Sequence, residues 1–314
     1  MKNMKTIKNL FLMLLVVTML IGCSNKKDSK DVSSEGQKKV VTVTTSFLYD
    51  MVKELAGDKV DINLVIPAGD DPHLYVAKPD DLNKIKTADL VLYHGLHFEG
   101  KMSDVLEKMG KSVTENFTDD EIGVMEEDGE NVIDPHFWFD ISLYKKATEN
   151  AAKYLVEILP EDEEFINSNL EKYLIALDDL SSWAKEEINK IPNESKYLIT
   201  PHDAFNYFSR YFGMEVMAPQ GVSTDSETSN KDIDRTVDFI VSHKIKSIFA
   251  ESTTDPIRME KLKEAASAKG FEVKVVSGEG HELFSDSLAP IGEDGDTYIT
   301  MYKHNINLIV DNLK

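Results

Sequence analysis

The chain is expected to be α/β, with two lobes of mostly parallel sheet flanked by helices and one long helix joining them. Three observations lead there. Apolar β-branched runs alternate with amphipathic stretches on both sides of the middle, one unbroken helical repeat fills residues 161–191, and 314 residues exceed what a single core usually holds.

In the first half, residues 40–45, 60–66 and 90–93 are strand-like, and 47–56 and 79–86 carry helical periodicity. In the second, strand-like segments at 197–200, 215–218, 245–250 and 273–276 are separated by helical stretches such as 231–243 and 256–269. Between them Ile166, Leu170, Tyr173, Leu177, Leu180, Ala184, Ile188 and Ile191 recur at spacings of three and four, after Pro160 and before Pro192. At 1.5 Å per residue such a helix extends about 45 Å, enough to run along both lobes as a strut. A coiled-coil dimer seam is the competing reading of this stripe, but a monomer is expected. The domains are therefore set at 40–160 for the N-terminal lobe, 161–191 for the linking helix and 192–314 for the C-terminal lobe. The acidic insertion at 119–130, which has no histidine, is expected to be a solvated loop.

Residues 1–22 combine Lys2, Lys5 and Lys8 with an apolar run over 10–21, the make-up of a signal peptide and too short to span a bilayer. The run ends in Leu20-Ile21-Gly22-Cys23, and Cys23 is the only cysteine. This is the pattern of a bacterial lipobox, in which Cys23 becomes the acylated first residue; a plain secretory signal is the alternative. Residues 23–39 are rich in Ser, Lys and Asp without apolar periodicity, and read as a flexible lipid-anchored tether. The chain is thus placed outside the cytoplasm, held to the cell membrane by lipid. With Cys23 consumed there is no thiolate left, so any metal site must be built from histidines and carboxylates.

Removing the leader subtracts three lysines and no acids, deepening the net charge from −21 to −24. Nucleic acid is excluded as a partner on that ground. Three of the eight histidines directly follow a proline, as Pro72-His73, Pro135-His136 and Pro201-His202, although only ten prolines are present. Proline fixes its own φ and pushes the residue before it toward extended conformations, so each turn presents its imidazole from a stiff backbone. A metal site needs that stiffness in its donors. His73 and His202 both lie beyond strand carboxyl ends, where open α/β sheets place ligands. Each histidine alone reads as an ordinary structural residue; three sharing one local grammar point to a site. Three neutral imidazoles would leave a dication's charge uncompensated, so a fourth, anionic donor is expected.

Asp71-Pro72-His73-Leu74-Tyr75, Ala88-Asp89-Leu90-Val91-Leu92-Tyr93 and Gly95-Leu96-His97-Phe98-Glu99 resemble the first half of the zinc/manganese-binding lipoproteins of ABC importers, the TroA-like solute-binding family. Asp134-Pro135-His136-Phe137-Trp138-Phe139-Asp140 is similar to its second signature, and His202-Asp203-Ala204-Phe205-Asn206-Tyr207-Phe208 with Gln220-Gly221-Val222-Ser223-Thr224 to its third. Leu283-Phe284-Ser285-Asp286-Ser287-Leu288 and Thr297-Tyr298 resemble the last block. The resemblance implies metal ligands at His73, His136, His202 and Asp286, a four-stranded sheet in each lobe, Zn2+ or Mn2+ as cargo, and an ABC importer permease as partner. More strictly manganese-associated members carry Glu where His202 stands, so a manganese-only assignment is not implied.

Glu251, at the end of a strand, and Asp140 and Asp203, each close in sequence to a ligand histidine, are candidates to orient the imidazoles. His94 and His97 form a His-x-x-His pair for which a solvent-facing or supporting role is expected. Trp138, Phe205, Tyr207 and Phe208 are expected to fill core. No enzymatic activity is expected. The rivals are a mononuclear zinc hydrolase, since three histidines with one open position is also a catalytic pattern, and a surface adhesin.

Overall fold

The computed structural model describes residues 38–127 and 129–314; the leader, Cys23 and nearly all of the tether fall outside them. The description concerns the unit Lys39–Lys314.

The N-terminal half is built around a parallel sheet of order β2-β1-β3-β4, with β1 at Lys39–Val43, β2 at Val60–Leu64, β3 at Leu90–Tyr93 and β4 at Lys111–Ser112. Helices α1 (Ser46–Ala56), α2 (Pro79–Thr87) and α3 (Ser103–Met109) connect successive strands. Val41, Val43 and Leu92 are buried without exposed surface, as expected of central strands covered by helices. In the C-terminal half, β7 (Tyr197–Ile199) pairs with β8 (Glu215–Met217) and β9 (Ser247–Phe249) with β10 (Lys274–Val276), both in parallel. β7 lies beside β9, so the four short strands are ordered β8-β7-β9-β10, hydrogen-bonded as two pairs. Helices α6 (Asn206–Phe212), α7 (Asn230–His243) and α8 (Ile257–Ala268) link them.

The long helix, α5, runs over Glu163–Ile188 after a 3-10 turn at Pro160–Asp162, slightly shorter than the 161–191 periodicity suggested. Its 26 residues extend about 39 Å. Ile166, Tyr173, Leu177, Leu180, Ala184 and Ile188 form its buried stripe. That stripe packs on α1, on α4 (Ile141–Ile158) and on α9 (Tyr298–Leu313), so the chain's own helices occupy the face a coiled-coil partner would have used. One apolar cluster runs from Val41 to Leu313 and joins both halves through this layer.

Residues 119–130 correct the expectation of a plain loop. Gly123–Glu127 (β5) and Glu130–Asp134 (β6) form an antiparallel hairpin. Val124 and Met125 pair with Ile133 and Val132, and the tip turns through Gly129 at φ 84°. The acidic composition hides the alternation, and the hairpin does not sort by polarity: Val124 and Ile133 are exposed while Asp134 is buried.

Candidate metal centre

The stiffness attributed to the Pro-His turns has a specific source. In two of them the aspartate before the proline folds back as an Asx turn: Asp71 Oδ1 accepts from His73 N at 2.9 Å and Asp134 Oδ1 from His136 N at 2.9 Å. In the third, the Thr200 hydroxyl donates to the His202 carbonyl at 2.9 Å. His202 follows β7 and bridges in parallel to Gln220, extending the strand direction past the sheet's carboxyl end. His136 precedes a 3-10 turn at Phe137–Phe139, whose backbone is held from the C-terminal helix: Tyr298 Oη donates to Trp138 O and Tyr302 Oη to Phe139 O, both at 2.7 Å. Trp138 Nε1 donates to Ser285 O at 2.9 Å, which sets the backbone that carries Asp286.

These turns bring His73, His136, His202 and Asp286 together, with one ligand atom from each lying within 4.8 Å of all the others. His136 Nε2 is 3.3 Å from Asp286 Oδ1, His202 Nε2 is 3.2 Å from Oδ2, and His73 Nε2 is 3.9 Å from Oδ2. The three imidazole centroids are 5.4 to 6.2 Å apart. All four side chains are buried, His73 keeping 4% of its surface and the others none. Among the described residues, the three Nε2 atoms and both Asp286 oxygens have no hydrogen-bond partner. Apart from one another these five converging polar atoms have no partner, and in a buried pocket that is costly unless a cation satisfies them.

The electrostatics agree with a site prepared for positive charge. Burial opposes the charged form of His136, but Asp134 and Asp286 outweigh it and push the imidazole up to about 9. Burial likewise opposes charge on His202, yet the Glu251 and Asp286 carboxylates hold it well above the usual histidine range. Burial alone would raise Asp286; His202 and His136 hold it well below the carboxylate range. His73 goes the other way, down to about 3, chiefly through burial. Protons at His136 and His202 must therefore leave when a metal arrives.

Each of two imidazoles is oriented through its other nitrogen. His202 Nδ1 meets Glu251 Oε2 at 2.5 Å, Glu251 lying just past the end of β9. His136 Nδ1 meets Asp134 Oδ1 at 2.7 Å. That contact falls to Asp134 and not to Asp140 or Asp203. Asp140 caps α4 by accepting from Ser142 N at 2.9 Å, while Asp203 is pushed up to about 6 by burial and then by the charge of Asp134. The repeated Asp-Pro-His grammar was the signal for Asp134, since an aspartate two residues before a histidine reaches both its backbone N–H and, in a tight turn, its ring. Replacing Glu251 by Gln leaves the shape but removes the charge behind His202. A loss of about 10- to 100-fold in zinc affinity is expected, read by competition against a chelator.

His94 is buried, not solvent-facing. Its Nε2 lies 2.7 Å from Thr45 Oγ1, and its ring packs among Phe47, Phe98, Phe137 and Trp138. His97 is exposed at φ 63°, outside the cluster. Phe98 meets the His73 ring edge-on at 5.1 Å, and the following loop passes so close that a Cβ at Gly100 would stand 2.5 Å from His73 O. Gly100 also has φ 43°, a conformation L side chains resist. Gly100→Ala is expected to destabilise the protein by about 2 kcal/mol or more and to displace the His73 turn, which chemical unfolding and metal affinity would register separately.

Comparison with known proteins finds metal-binding relatives. The chain is 35% identical over 300 residues to the manganese-binding lipoprotein MntA of Bacillus subtilis, covering 94% of this chain and 95% of that one. It is 36% identical over 300 residues to the zinc-binding protein TroA of Treponema pallidum, again covering 94% and 95%. A solved structure of a different TroA, from work on metal-binding specificity, superposes with a TM-score of 0.88 at 59% identity, covering 88% of this chain and 100% of that chain, and the solved TroA of Treponema pallidum superposes with 0.83 at 35% identity, covering 88% and 99%. The model of the zinc-uptake complex component A periplasmic family, ZnuA, matches residues 41–312, and the chain belongs to that family.

Proposed function

We propose that the protein is an extracytoplasmic carrier that captures a divalent transition metal, zinc or manganese, and delivers it to the permease of an ABC importer. The observation that carries this reading is the convergence of three histidine Nε2 atoms and both oxygens of Asp286 in one buried pocket, with no other partner for any of them among the described residues. In this reading His73, His136, His202 and Asp286 are the ligands, residues 40–160 and 192–314 are the two lobes, and 161–191 is the strut. Cys23 carries the lipid that keeps a monomeric protein at the membrane beside its importer.

The donor set supports both metals and ranks them. Three nitrogens and one carboxylate oxygen make a zinc tetrahedron, while the second Asp286 oxygen, also directed at the cluster, supplies the higher coordination that manganese accepts. By the Irving–Williams order zinc should bind more tightly. Asp286 also argues for a carrier over a hydrolase, because it takes the position a catalytic water would need. Titration of the demetallated chain is expected to show one zinc bound per chain, with manganese bound more weakly at the same site. Binding of neither metal would overturn the reading. A gene deletion that grows normally under both zinc and manganese starvation would count against delivery.

A further inference from the structure

The four proposed ligands come from different parts of the fold, and His73 is set apart from the rest. It alone keeps some exposed surface, and it stands farthest from Asp286, at 3.9 Å. It rides on the segment 67–78 between β2 and α2, which contains no strand or helix. The ligand best placed to leave first is therefore His73, and what holds its segment sets how readily it can leave.

Two sets of polar contacts perform that holding: Gly69 N donates to Ser287 Oγ at 2.7 Å, and a longer chain runs through Asp71. The Asp71 carboxylate uses both oxygens. Oδ1 accepts from His73 N, and Oδ2 accepts from the Thr224 hydroxyl at 2.6 Å, a contact between residues 153 apart in sequence and in opposite halves. Thr224 is itself anchored. Its carbonyl accepts from Gln220 Nε2 at 2.8 Å, the same amide donates to Ser226 O at 2.7 Å, and the Gln220 oxygen takes the Arg258 guanidinium. Gln220 then bridges to the His202 backbone. Thr224 and Gln220 are both buried, with 6% and 5% of their surface exposed, so water competes poorly for these bonds.

We propose that the Asp71–Thr224 contact is a latch that holds the His73 segment against the C-terminal half, so that metal leaves at a rate limited by its opening. Asp71 and Thr224 are positioning residues, acting on the metal through His73. The proposal rests on the metal-carrier reading, and it adds that ordering of segment 67–78 is coupled to ordering of 220–226 through one carboxylate. A hydrogen bond to a charged acceptor carries roughly a tenfold change in an equilibrium constant. Because the latch acts after the ion has entered, that change should appear in dissociation, where related complexes usually differ.

The test is zinc release from the full-length loaded chain, followed by stopped flow with excess chelator, alongside the rate of zinc uptake. Thr224→Val, which keeps the shape and loses the hydroxyl, is expected to release zinc about tenfold faster with little change in uptake. Thr224→Ser, which retains the hydroxyl, should restore the wild-type rate. Release from Thr224→Val at the wild-type rate, or equal acceleration in Thr224→Ser, would overturn the latch while leaving metal capture intact. Failure of the wild-type chain to bind zinc would instead remove the carrier reading beneath it. Hydrogen exchange on the unmutated chain gives a second readout: zinc loading should protect 67–78 and 220–226 together, and protection of either one without the other contradicts the coupling.

Discussion

Asp286→Ala is expected to lose zinc by at least about a hundredfold in affinity. Four-donor zinc sites bind with roughly 10 to 16 kcal/mol, so one donor carries about 3 kcal/mol on an even division, and the loss of the only anionic one should exceed an average share. The effect extends to the metal-free protein. Asp286 is held ionised by His202 and His136, and without it these buried imidazoles lose the carboxylate that faces them. Breaking a buried charge cluster from one side typically costs about 3 to 5 kcal/mol, so the metal-free variant should also melt earlier. Asp286→Asn separates the two effects, since it fills the same volume with a neutral group. If Asp286→Ala kept zinc near wild-type affinity, the fourth donor would have to be another group.

The second large effect lies away from the pocket. Asp50, on α1, is 6% exposed and accepts from Tyr298 N, at the start of α9, at 2.8 Å. Burial pushes its carboxyl up from 3.8 to about 7, more than the Tyr298 hydrogen bond lowers it. A folded-state value above the unfolded one means that the protonated form is the favoured one in the fold. Its contribution to stability is therefore whole below about pH 4 and is lost as pH rises through about 7, an effect of about 4 kcal/mol across the window. Asp50→Asn can still accept from Tyr298 N but cannot ionise. Urea unfolding of the metal-free protein is thus expected to show the Asn variant gaining on wild type by up to about 4 kcal/mol between pH 4 and pH 8. A difference independent of pH would show that Asp50 ionises in the fold as easily as in water.

Much of the architecture could be read from periodicity. α5, the first three strands and the short strands of the C-terminal half were all visible as apolar runs. Helices α4 and α9 were not, since their apolar positions, such as Leu143, Ala147 and Ala151 on α4, are interleaved with buried polar and aromatic residues like Asn150, Tyr144 and Tyr154. Contacts distant in sequence explain why those polar residues lie inside: Asn150 Nδ2 donates to Val113 O, just after β4, and the Tyr144 ring stacks on Tyr298 of α9 at 3.6 Å. The hairpin at 123–134 was hidden by its acidic composition.

The site divides in the same way. The three histidines stood out because proline leaves a local signature in the chain. Asp286 has none, as Phe284-Ser285-Asp286-Ser287 resembles any polar turn; its identity came from family resemblance, and its place depends on Trp138 and Asn305 holding the neighbouring backbone. Asp134 reads in the sequence as a turn residue alone, although its carboxylate serves the turn and the imidazole at once.

The most direct test is a crystal of the zinc-loaded chain with anomalous diffraction at the zinc edge. The expected result is one strong peak at about 2.0 to 2.2 Å from the Nε2 atoms of His73, His136 and His202 and from a carboxylate oxygen of Asp286. A zinc ion seated on other residues, with these four side chains not bound to it, would contradict the account.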